Sequence, residues 1–112
     1  MPRVRLVFAV VQDKDATRIL DELVKQNFRA TRLASTGSFL REGNTTLFLG
    51  VEDDQVETVV NLIGRLGRKR EKVVTPMATV GAPMDSYVPF PVEVQIGGAT
   101  IFTLPVERFE RF

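Results

Sequence analysis

The alternation of apolar residues begins at the start of the chain. Val4, Leu6, Phe8 and Val10 share one face of an extended segment, and Val7, Ala9 and Val11 fill the other. A segment apolar on both faces predicts a central strand covered on both sides. Asp13 and Asp15 follow as N-caps. Ala16, Ile19, Leu20, Leu23 and Val24 then recur at helical spacing, predicting an amphipathic helix that ends near Asn27. A second strand is predicted from Phe28 to about Ser35, before the glycines and polar residues of Thr36 to Asn44 break the pattern. Thr45 to Val51, β-branched and aromatic, reads as a third strand. Asp53 and Asp54 are placed to cap a second helix, with Glu57 at capping-box spacing from Asp54. Val56, Val59, Val60 and Ile63 give that helix its apolar stripe, and Val73 and Val74 open another extended segment.

The order predicts an α+β fold, a ferredoxin-like βαββαβ unit with an added C-terminal hairpin and tail. Both helices pack on one face of a four-stranded sheet. The other face is left open, to be covered by further subunits or by the chain's own C-terminal segment. Gly97-Gly98 between Val92–Ile96 and Ala99–Leu104 is a hairpin signal, because the primed turns need positive φ. Val106, Phe109 and Phe112 have helical spacing and read as a docked tail. Residues 1–112 form one domain, with a long mobile loop over about 69–91 that is rich in proline from Pro76 onward.

Composition removes much chemistry. The chain has 112 residues with no Cys and no His, so thiolate nucleophiles, Cys-based metal sites and His-based acid–base catalysis are excluded. Its charge of +1, with a pI near 8.1, is wrong for a binder of nucleic-acid polymers. The apolar run at the N-terminus ends in charges and is not a signal peptide, and no stretch approaches the roughly 20 apolar residues of a membrane span. The expectation is a cytoplasmic protein. Arg65, Arg68, Lys69, Arg70 and Lys72 read as the solvated end of a helix, where cations suit the dipole.

No constellation demands catalysis. A phosphate loop of the acylphosphatase type belongs between the first strand and helix, where Gln12-Asp13-Lys14-Asp15 is acidic and lacks glycine. The third strand lacks the basic-glycine aromatic signature of RNA-recognition modules. The pattern fits a small anionic, aromatic ligand better. Alternation puts Arg29 and Thr31 on one face, a guanidinium and a hydroxyl for phosphate oxygens. Thr36-Gly37-Ser38-Phe39 adds unhindered amides and a ring on which a base can stack, and Asn44 can read an adenine edge.

At these residues the chain resembles the PII-like cyclic di-AMP receptor proteins of bacteria. The resemblance rests on Asn27-Phe28-Arg29-Ala30-Thr31, on Thr36 to Thr46, on Pro91-Val92-Glu93-Val94 and on Gly97-Gly98-Ala99-Thr100-Ile101-Phe102. It implies a homotrimer with one cyclic di-AMP in each cleft between neighbours, acting as a signalling receptor and not as an enzyme. Carried over by position, Arg29 and Thr31 serve phosphate and ribose, with Asn27 nearby. Phe39 and Leu40 line the base pocket, with Gly37 a ligand-binding position in the same loop, Asn44 and Gly50 hold the ligand's edge, and Gly98 and Phe102 lie near the same cleft. The ligand that the resemblance implies is cyclic di-AMP, with no further cofactor and no metal expected. Partners are other copies of the chain and an unknown downstream protein, with no membrane and no nucleic-acid polymer. The loop after the second strand is short and the one from Lys69 to Pro91 is long, the reverse of ordinary PII nitrogen regulators. Ser38 stands where relatives often have glycine, and near the C-terminus, where relatives often carry a polar, non-acidic residue, the tail reads Glu107-Arg108-Phe109-Glu110-Arg111-Phe112. The alternatives are a conventional ATP-sensing PII-type regulator and a protein-interaction module with an incidental pocket.

Overall fold

The structure is a computed structural model and describes residues 3–33, 43–74 and 91–112. Strand β1 (Val4–Gln12) leads into helix α1 (Asp13–Lys25), followed by the short β2 (Thr31–Leu33) and by β3 (Asn44–Glu52). A 3-10 turn (Asp53–Gln55) opens helix α2 (Val56–Gly67), and β4 (Arg70–Val74), β5 (Val92–Ile96) and β6 (Ala99–Pro105) complete the order. The main sheet runs β2-β3-β1-β6 with antiparallel neighbours, so β1 is central as its two apolar faces require. β4 and β5 form a separate two-stranded ribbon.

The core lies between one sheet face and the helices. Val7, Ala9 and Val11 of β1 and Leu47, Leu49 and Val51 of β3 are buried against Ala16, Ile19 and Leu23 of α1 and Val59, Leu62 and Ile63 of α2. Full burial of each Val, Leu or Ile among them contributes roughly 1.5–3 kcal/mol. The register sends the alternate residues to the opposite face, where Leu6, Phe8 and Val10 meet Phe48, Thr46, Phe102 and Leu104. That face is open, with Phe102 50% and Leu104 44% exposed.

Several local expectations are corrected. The strand that completes βαββαβ is β6, not the segment at Val73 and Val74, which belongs to the ribbon. Arg70–Val74 carries three charges in five residues. β6 instead brings half-buried Ala99 and Ile101 to the core and Phe102 beside Phe8. The expected loop from about residue 69 thus begins with strand β4, and residues 75–90 lie outside the described part.

Gly97 and Gly98 do have positive φ, at 81° and 116°, yet they close no hairpin. β5 pairs with β4 and β6 with β1, because the glycine amides are used elsewhere. Gly97 N–H donates to Gln12 Oε1 at 2.7 Å, and Gly98 N–H donates to the Gly67 carbonyl at 2.6 Å. Neither Asp13 nor Asp15 is an N-cap: that position falls to Gln12, whose side chain makes no cap bond. Asp13 accepts from the Thr45 hydroxyl, and Asp15 accepts from Arg70. The capping box forms two residues earlier than expected, between Glu52 and Gln55. The tail from Val106 is not helical, and Phe109 and Phe112 are exposed rather than docked.

Candidate functional site

The ends of β1, β3 and β6 converge with the end of α2 around a cavity of about 800 Å³. Gln12 and Asn44, paired across β1 and β3, supply amides to its lining, and Thr100 of β6 adds a hydroxyl. Arg68 and Lys69 bring cations, and Gly97 and Gly98 bring backbone. Such a lining can take phosphate oxygens on the cations and base edges on the amides.

Beside this cavity lies the open face. Thr31 pairs with Phe48, Phe48 with Phe8, and Phe8 with Phe102, so the four side chains form one row across the sheet. The Phe8 and Phe48 rings sit 5.1 Å apart and tilted by 43°. A row of rings ending in a hydroxyl is an apolar platform with a polar end, suited to a second protein surface or to a flat aromatic ligand.

Next to the cavity stands an ion pair with one buried partner. Arg70 grips the Asp15 carboxylate with both guanidinium arms, at 2.6 and 3.3 Å, and the Asp15 side chain is only 3% exposed. Hydrogen bonding to Asp15 raises the Arg70 pKa above its ordinary range; burial opposes that shift and the opposite charge on Asp15 adds to it. Arg70 also donates to the Arg68 carbonyl at 3.0 Å. The basic run is therefore not a plain solvated helix end. One of its cations is structural, and Arg68 and Lys69 line the cavity.

The predicted site residues scatter within one chain. Asn44 and Gly98 line the large cavity. Asn27 and Arg29 line a separate one of about 390 Å³ with Val24 and Phe28. Gly50 lies at the far end of β3, six positions from Asn44 and so about 20 Å away, in a third cavity with Phe109 and Arg111. Thr31 and Phe102 stand on the open face. Arg29 precedes β2, so strand alternation does not tie it to Thr31. Gly37, Phe39 and Leu40 fall outside the described residues.

Asn27 also has a backbone role. At φ 67° it is the left-handed residue that closes α1, its N–H donating to the Val24 carbonyl and that of Phe28 to the Leu23 carbonyl. Sequence reasoning missed Gln12, Thr100, Arg68 and Lys69 as cavity residues. Only the basic run gave a signal, and helix-end electrostatics accounted for it equally well.

Comparison with known proteins decides the family. Residues 4–112 match the cyclic-di-AMP receptor family. This chain belongs to that family. A functionally unknown protein from Pediococcus pentosaceus shares 42% identity with it, each chain covered over 100% of its length, with a TM-score of 0.80. Arabidopsis thaliana PII bound to citrate shares 22% identity over 94% of this chain and 78% of that one, with a TM-score of 0.55, and shows the fold alone. The fold is PII-like, and the family is one of receptors. Among the described residues, no helix is long and apolar enough to cross a membrane.

Proposed function

We propose that this protein is a cytoplasmic signalling receptor that binds cyclic di-AMP in clefts between the subunits of a homotrimer. It relays occupancy through the segments around each cleft and carries out no reaction. The observation that carries this reading is the receptor-family match over nearly the whole chain. The geometry supports it in two ways. The apolar open face needs a cover, which neighbouring subunits would supply. The predicted ligand residues are also too far apart to surround one nucleotide within one chain. Asn44 and Gly50 stand toward opposite ends of β3 and line different cavities, which fits a cleft completed by a second copy.

The ligand's two phosphates would meet Arg29, Thr31 and backbone amides, and its adenines would meet Phe39 and Asn44. The test is calorimetric titration of the unaltered protein and of Arg29→Ala and Asn44→Ala with cyclic di-AMP and with ATP. Each substitution is expected to weaken cyclic di-AMP binding by about tenfold, the loss of roughly 1.4 kcal/mol that one hydrogen bond contributes. Binding of ATP alone would replace this reading with an ATP-sensing regulator. Binding of neither would leave a protein-interaction module.

A further inference from the structure

Among the described residues, the β4–β5 ribbon meets the main body at few points, and Gln12 stands at one that borders the cavity. Its Oε1 accepts from Gly97 N–H at 2.7 Å, which ties the turn between β5 and β6 to the end of β1. The same residue lines the cavity beside Asn44, its strand partner, and Gly98. Among the described residues, Gln12 Nε2 has no hydrogen-bond partner. One half of the amide thus holds the ribbon while the other half is available as a donor at the cavity wall.

The turn has little room to adjust. A Cβ at Gly97 would collide with the Arg68 carbonyl and come within 2.6 Å of Arg70 Nη1. Arg70 is itself locked to buried Asp15. The ribbon root is therefore closely packed, with the Gln12 oxygen on the Gly97 amide. The ribbon beyond it exposes Val73, Val74, Val92 and Val94. A two-stranded ribbon is marginal by itself and depends on its root for order.

We infer that Gln12 is a positioning residue that couples occupancy of the cavity to the order of the ribbon. An anionic nucleotide that accepts a hydrogen bond from Nε2 fixes the Gln12 rotamer and keeps Oε1 on Gly97 N–H. Binding thereby tightens the ribbon root. This deepens the receptor reading and rests on it for the ligand, though not for the root contact.

Hydrogen exchange of the Gly97 amide, with and without saturating cyclic di-AMP, tests the coupling in the full chain. Gln12→Ala is expected to speed Gly97 exchange in the free protein by about fivefold, as the loss of one hydrogen bond implies. It is also expected to abolish the slowing that the nucleotide causes in the unaltered protein. Gln12→Glu retains an acceptor for Gly97 and loses the donor. It is expected to exchange like the unaltered protein when free, and to bind cyclic di-AMP at least about tenfold more weakly. Unchanged Gly97 exchange in Gln12→Ala, equal slowing by nucleotide in both, or full affinity in Gln12→Glu each overturns the inference. Failure of cyclic di-AMP to bind the unaltered protein overturns the receptor reading and the coupling together. The free-protein comparison still decides the root contact.

Discussion

The ribbon root can be probed by placing one methyl group at each of two glycines. Gly97 and Gly43 both have positive φ, at 81° and 89°. Alanine at either position meets the same backbone penalty, about 1–2 kcal/mol. They differ in surroundings. Among the described residues, a Cβ at Gly43 has no heavy atom within 4 Å, whereas one at Gly97 strikes the Arg68 backbone carbonyl and the Arg70 guanidinium. The carbonyl cannot rotate away as a flexible side chain would. Relief requires lifting the turn, which gives up the Gly97–Gln12 and Gly98–Gly67 hydrogen bonds. At about 1 kcal/mol each, these add about 2 kcal/mol to the cost at Gly97 alone. Urea unfolding followed by far-ultraviolet circular dichroism, at one fixed protein concentration, measures both variants. Gly97→Ala is expected to be less stable than Gly43→Ala by about 2 kcal/mol. A difference below about 0.5 kcal/mol would show that the turn is free to shift and would refute the seated root.

Arg70→Met leaves the Asp15 carboxylate buried, with Arg18 no nearer than 4.0 Å, and is expected to cost about 3 kcal/mol. Because the folded pKa of Arg70 is raised, the contribution of its charge is lost only in strong alkali, well above pH 9. The difference between Arg70→Met and the unaltered protein should therefore be equal at pH 7 and pH 9, and a difference that shrinks between them would count against the assignment. The double variant Asp15→Asn with Arg70→Met should recover part of the loss in the same measurement. At the end of α1, Asn27→Ala is expected to cost about 1 kcal/mol, since only glycine and asparagine tolerate the left-handed position well. Asn27→Gly should hold full thermal stability, and equal melting points for the two variants would exclude the capping role.

Much of the fold was legible because burial imposes periodicity. Val7, Ala9 and Val11 had to face a core, and Ile19, Leu23, Val59 and Ile63 had to face them in return. What sequence could not settle was pairing at long range. Val73-Val74 and Ala99–Leu104 are both extended, and only the fit of Ile101 and Phe102 beside β1 decides which strand joins the main sheet. Gly97-Gly98 carries a hairpin signal in its φ angles, but the partners of its amides, Gln12 and Gly67, lie far away in sequence. The assembly of the site was not legible. Arg29, Thr31 and Asn44 suggested anionic aromatic recognition, yet in one chain Arg29 and Asn44 line separate recesses and Thr31 stands on the open face. Gln12 was silent because a lone glutamine at a strand end has no periodicity to reveal it.

Native mass spectrometry of the unaltered protein with added cyclic di-AMP and ATP tests the central claim most directly, since it counts chains and nucleotides in one particle. The expected species contains three chains and three cyclic di-AMP molecules, with no ATP retained. A single chain carrying its own nucleotide, or a trimer that retains ATP and not cyclic di-AMP, would contradict it.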